Sequence, residues 1–202
     1  MPVLGITGGI ATGKSSFTRC LTPFLGASSF DADATARDLL ANDPQVLNQV
    51  RQRFGEEFVA ENGVDRARLR ERVFESDADR KQLEAILHPM IRERWLAEAR
   101  SARESKKWLL IDIPLLFENR LESAFDAVVV VACRASTQRA RIVSERGLSA
   151  EMAERIIAAQ ENLASKIARA AHVVWSDAPE ARLGEQAQLL AEYLQKRFCE
   201  TL

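Results

Sequence analysis

Gly8 and Gly13 bracket four residues, Gly9-Ile10-Ala11-Thr12, and are followed at once by Lys14, Ser15 and Ser16. Two glycines at this spacing let the backbone fold tightly and turn successive N–H groups inward. The resulting nest adds its partial positive charge to that of the helix start behind it. Phosphate is the ligand this arrangement suits. Lys14 would reach the β- and γ-phosphates of a nucleoside triphosphate, and the Ser15 hydroxyl would ligate Mg²⁺, the division of labour of a P-loop phosphotransferase. The apolar run Val3 to Thr7 precedes the loop and a helical pattern begins near Lys14, which is the strand, loop and helix context that the motif requires.

Two further acidic positions fit phosphoryl transfer. Ser28-Ser29-Phe30-Asp31-Ala32-Asp33 ends a short apolar run with carboxylates at i and i+2, which share one side if the strand continues. Ligands of open α/β sheets bind at the carboxyl ends of the strands, so one of these acids can orient and deprotonate a hydroxyl acceptor. Asp33 can equally cap a helix starting near Ala34. Asp112 closes the run Trp108-Leu109-Leu110-Ile111, where it is either a Mg²⁺ ligand or a structural acid at a strand end.

These residues need a scaffold that brings strand ends together. Apolar runs recur at Val3 to Thr7, Ser28 to Phe30, Trp108 to Ile113, Ala127 to Ala132 and His172 to Trp175, separated by helical patterns. Such alternation predicts an α/β fold: a central five-stranded parallel sheet flanked by helices. Val128 to Val131 lacks polar alternation, as a strand covered on both faces does. Between the second and third runs, residues 34–107 contain no evident strand and read as a helical insertion large enough to bind an acceptor. Its Arg66 to Arg72 stretch is basic, but over residues 34–106 the 14 basic and 14 acidic residues balance, so the charge run reads as a solvated face. Residues 134–169 carry seven basic against four acidic residues and can welcome an anion. Ser149 predicts an N-cap for a helix through Gln160. A last helix over residues 179–198 should pack Leu189, Leu190, Tyr193 and Leu194 on the sheet.

The chain of 202 residues has a formal net charge of −1, and no apolar run approaches the roughly 18 residues of a membrane span. Neither balance suits a nucleic-acid coat protein or a membrane protein, and no secretory signal pattern opens the sequence, so a cytoplasmic protein with no nucleic-acid or membrane partner is expected. Cys20, Cys133 and Cys199 are widely spaced and only two histidines, His88 and His172, accompany them, which argues against a disulfide framework or a zinc site. Cys20 and Cys133 read as small buried hydrophobes. Trp95, Trp108 and Trp175 read as core or interface aromatics. Asn-Lys-x-Asp and Asp-x-x-Gly are absent, which argues against a regulatory GTPase.

Several stretches together resemble the dephospho-coenzyme A kinase family, whose members phosphorylate the ribose 3′-hydroxyl of dephospho-coenzyme A. Ile6 to Ser15 is similar to the family's opening, Asp31-Ala32-Asp33 to its acidic signature and Leu87-His88-Pro89 to its histidine-proline motif. Pro114-Leu115-Leu116-Phe117-Glu118-Asn119 resembles its Pro-Leu-Leu-x-Glu-Asn segment, and Gln138, Arg141, Gly147-Leu148-Ser149 and Ala159-Gln160 follow its lid pattern in order. The resemblance implies one P-loop kinase domain over residues 1–202, with a coenzyme A-binding insertion at 34–107 and a lid at 134–150. It implies ATP and Mg²⁺ as cofactors, with Gly8 to Ser16 on the phosphates and Ser15 and Asp112 on the metal. It also implies Asp33 as general base, Lys14 as phosphate clamp and Arg141 as the lid arginine that stabilises the transferring phosphoryl group. Thr7, Asp33, His88 and Glu118 fall on the acceptor side, and a monomer or weak homo-oligomer is expected. Where the family commonly has Asn after its last strand, this chain has Ser176-Asp177, and Glu145-Arg146 stand where many members read Arg-Asp. A kinase of another small metabolite, such as a shikimate-type enzyme, is the nearest rival, and a slowly hydrolysing nucleotide-dependent regulator is the rival outside catalysis.

Overall fold

All five apolar runs pair into one sheet. The computed structural model describes residues 1–60 and 62–199. In chain order it forms β1 (Val3–Gly8), α1 (Lys14–Leu25), β2 (Ser28–Asp31), α2 (Ala32–Asn42), α3 (Pro44–Phe54), β3 (Val59–Ala60), β4 (Gly63–Val64), α4 (Arg66–Glu75) and α5 (Asp77–Glu104). There follow β5 (Leu109–Asp112), β6 (Ala127–Ala132), α6 (Ala135–Arg146), α7 (Ala150–Ala158), α8 (Leu163–Arg169), β7 (His172–Trp175) and α9 (Glu180–Cys199). The main sheet is parallel, with the order β2-β5-β1-β6-β7. β1 is central, with Ile6 opposite Asp112 of β5 on one side and Gly8 opposite Val131 of β6 on the other. Every residue of β1, β5 and β6 is buried, as expected of strands covered on both faces.

The chain divides into two compact units, Met1–Phe30 with Glu98 onward, and Asp31–Ala97. In the first, Leu4, Ile6, Leu110, Val129 and Val131 of the sheet pack with Phe17 and Leu21 of α1 and with Leu183, Ala187, Ala191 and Leu194 of α9. The spacing of these four α9 positions keeps them on one stripe of the helix. That corrects the expected face of the last helix: Leu189 and Tyr193 point outward, 67% and 51% exposed, and Tyr193 meets His172 edge to face at 5.3 Å. Trp108 and Cys133 are buried, Cys20 is partly buried, and Trp175 is exposed. The side chains of Cys199 and Arg146 lie outside the described residues. No helix is long and apolar enough to cross a membrane among the described residues.

The second unit has its own core of Leu39 and Leu40 (α2), Val46 and Val50 (α3), Leu69 (α4), and Ile86 and Leu87 (α5), with Phe58 and Val64. Aspartates start three of its helices. Asp31 accepts a hydrogen bond from the Ala34 amide at 2.8 Å, Asp43 from those of Gln45 and Val46, and Asp65 from that of Arg68. The N-cap of α2 is therefore Asp31 and not Asp33, because β2 ends at Asp31 and the helix begins two residues earlier than expected. A second correction is the hairpin of β3 and β4, which pairs Val59 with Val64 and Ala60 with Gly63. Two residues per strand are too few for a periodic signal.

Candidate active site

The loop between β1 and α1 is built by two left-handed turns of backbone. Gly13 has φ +86° and sits at the N-cap of α1, while Ala11 adopts φ +55°, a conformation a side chain rarely accepts. Gly13 offers no side-chain cap, so the first amides of α1 face outward as an anion site, their partial positive charge unopposed. The Lys14 ammonium lies over the loop and donates to the Gly9 carbonyl at 3.0 Å. Thr12 is buried and closes the turn from inside, its hydroxyl donating to the same carbonyl at 2.9 Å.

Close packing beneath the loop explains Gly8. A Cβ there would stand 2.3 Å from the Val131 carbonyl oxygen of the neighbouring strand and 2.7 Å from Thr12 Oγ1. The first is backbone, and the second is the hydroxyl of a buried threonine held to the Gly9 carbonyl. Gly8→Ala is expected to cost roughly 1–3 kcal/mol of stability, a fall in Tm of about 2–10 °C. Calorimetry checks the stability, and a nucleotide titration should show weakened binding because the loop must move to admit the methyl group.

Side chains from distant parts of the chain grip the loop's other backbone groups. Gln138 of α6 donates to the Ile10 carbonyl at 2.8 Å, and Gln160, after α7, accepts the Ile10 amide at 2.8 Å. Arg141 donates to the Ala11 carbonyl (3.3 Å) and to both the hydroxyl (3.0 Å) and carbonyl (2.6 Å) of Ser176. Ser176 is buried and donates in turn to the Thr12 carbonyl at 2.6 Å. Next to it, Asp177 accepts from Thr137 Oγ1 at 2.6 Å and from the Arg134 amide at 3.0 and 3.1 Å. Burial alone would raise the Asp177 carboxyl, but these hydrogen bonds and the charges of Arg134 and Arg141 bring it below the ordinary aspartate value. The turn after β7 thus fastens both the loop and the start of α6.

The structure gathers Gly8 to Ser16, Thr7, Asp112, Glu118 and Arg141 in the first unit. Thr7 is fully buried and donates to the Pro114 carbonyl at 3.2 Å. Glu118 is pinned by the Glu161 amide at 3.0 Å and by Lys166 Nζ at 2.8 Å. Asp112 is buried at the end of β5, and Ser15 is exposed in the first turn of α1. A hydroxyl and a carboxylate are hard oxygen donors. Among the described residues no three His, Cys, Asp or Glu side chains converge, and a hydroxyl with a carboxylate is a donor set of the kind that Mg²⁺ takes beside phosphate and water oxygens. Asp33 and His88 belong to the second unit. Asp33 is exposed in the first turn of α2, and His88 is exposed in α5. His88 lies within the helix, since α5 continues through Pro89.

The sequence marked Ser176-Asp177 only as a departure from the family's Asn, and it assigned Lys166 no role. Position at the end of the last strand was the available signal for the first two; Lys166 carried none beyond its charge.

A family model described as dephospho-CoA kinase matches residues 2–181. The chain is 42% identical over 195 residues to the dephospho-CoA kinase of Anaeromyxobacter dehalogenans, covering 95% of this chain and 92% of that protein. It is 39% identical over 173 residues to that of Geobacillus kaustophilus, covering 85% and 86%. A crystal structure from Thermus thermophilus superposes with a TM-score of 0.78 at 28% identity, over 96% of this chain and 97% of that one. Dephospho-CoA kinase from Campylobacter jejuni shares the fold with a TM-score of 0.71 at 24% identity, covering 99% and 98%. A family match over nearly the whole chain, on a scaffold with the phosphate loop in place, leads to one conclusion: this protein belongs to the dephospho-CoA kinase family.

Proposed function

We propose that the protein transfers the γ-phosphoryl group of ATP to the ribose 3′-hydroxyl of dephospho-coenzyme A, yielding coenzyme A and ADP in the last step of coenzyme A biosynthesis. The observation that carries this reading is the glycine loop at the uncapped start of α1, with Lys14 folded over it, in a chain of this family. The loop amides hold the β- and γ-phosphates and Lys14 adds a point charge between them. Ser15 and Asp112 are the residues that would hold Mg²⁺, which when bound would neutralise charge on the phosphates. Asp33 accepts the hydroxyl proton as the 3′-oxygen bonds to the γ-phosphorus and the bond to the ADP oxygen breaks. His88 orients the acceptor, and Thr7 and Glu118 serve the acceptor side through the segment Pro114 to Asn119 that both support.

Arg141 is the arginine assigned to charge on the transferring group. Its guanidinium is held by Ser176 and the Ala11 carbonyl, so reaching that group requires it to exchange those hydrogen bonds. Residues 34–107 supply the acceptor-binding insertion and 134–150 the lid, within one P-loop kinase domain over residues 1–202. The protein works in the cytoplasm as a monomer or weak homo-oligomer, without nucleic acid or membrane. Mass spectrometry of the product tests the regiochemistry. Dephospho-coenzyme A gains one phosphate, whereas its 3′-deoxy analogue gains none; phosphorylation of the analogue overturns the 3′ assignment.

A further inference from the structure

Among the described residues Lys166 is the one lysine or arginine that is buried, with a relative exposure of 0%. Taking an ammonium out of water costs several kcal/mol, and a buried ion pair seldom stabilises more than an apolar pair of the same volume. A lysine here therefore places something. Its Nζ lies 2.8 Å from Glu118 Oε1, and that same oxygen accepts the Glu161 amide at 3.0 Å. One residue earlier, Gln160 Oε1 takes the Ile10 amide at 2.8 Å, and the Ile10 carbonyl is taken by Gln138. The charge pair is thus one residue removed from a hydrogen bond to the phosphate loop. The pair is not needed to start α8, because Asn162 caps that helix by accepting the Ala164 amide at 2.8 Å. Glu118 Oε2 is buried without a hydrogen-bond partner, so Lys166 supplies the compensating charge for the carboxylate.

We infer that Lys166 is a positioning residue for the nucleotide loop: it fixes Glu118 against the 161 amide and so sets where Gln160 holds Ile10. The inference rests on the reading of this loop as the ATP site, though not on the identity of the acceptor. Lys166→Met strands a largely buried carboxylate and frees the 160–161 turn. Titration of the purified protein with a fluorescent ATP analogue in Mg²⁺, without acceptor, should show Kd raised about tenfold, the scale of one lost buried hydrogen bond. The double variant Lys166→Met with Glu118→Gln should regain most of the nucleotide affinity, because the amide oxygen still accepts the 161 amide and no charge is stranded.

Gln160→Ala cuts the final link without touching the ion pair. It should raise the nucleotide Kd by a similar factor while Tm is preserved, and it carries the test if Lys166→Met does not fold. A lower Tm in Lys166→Met with unchanged nucleotide Kd overturns the inference, as does an unchanged Kd in Gln160→Ala. If the unaltered protein binds no nucleotide, the reading of the loop itself fails.

Discussion

Lys14→Ala is expected to lower kcat/KM by on the order of 10²–10³-fold, the usual consequence of removing one preorganised charge from a developing anion. The loss should fall on both ATP affinity and turnover, because the same ammonium meets the phosphates in the ground state and the transferring group in the transition state. In the structure Lys14 Nζ rests 3.0 Å from the Gly9 carbonyl, over the loop proposed to receive the phosphates. Its side chain is only partly buried, so Tm should change little, and steady-state kinetics beside a thermal melt separate a catalytic defect from an unfolded one. Full activity in this variant would overturn the assignment of the loop.

Asp33→Asn makes the sharper test of mechanism. Turnover should fall by roughly 10²–10⁴-fold with ATP affinity near normal, as expected when a general base is replaced by an amide of the same shape. Asp31 offers a matched control two residues away. It caps α2 by accepting the Ala34 amide, a role that asparagine performs equally well, so Asp31→Asn should keep both stability and activity. A severe defect in Asp31→Asn with a mild one in Asp33→Asn would exchange the roles of the two acids. Unchanged turnover in Asp33→Asn would remove Asp33 from the chemistry.

The contrast between these two aspartates also marks where sequence stops being legible. That an acid pair stands at the end of β2 follows from the run Ser28 to Phe30. Which of them caps the helix depends on where the strand gives way to the helix, and a shift of two residues moved the cap from Asp33 to Asp31. The phosphate loop was readable because its contacts are local: Thr12, Gly13 and Lys14 all act within five residues of Gly9. The grip on that loop was not, since Gln138, Arg141, Gln160 and Ser176 reach it across 128 to 164 residues of chain. Periodicity likewise placed α9 but not its buried side, because Leu189, Tyr193 and Leu194 are all apolar and only Leu194 turns to the sheet. Lys166 is the extreme case, a residue of the basic 134–169 stretch whose surroundings bury it completely.

ADP release from Mg-ATP, measured with and without dephospho-coenzyme A and with shikimate and nucleosides as parallel acceptors, tests the central claim most directly. Strong stimulation by dephospho-coenzyme A alone, with one phosphate gained at the ribose 3′ position, is the predicted result. Stimulation by shikimate or a nucleoside instead, or equal ADP release whether or not any acceptor is present, would contradict it.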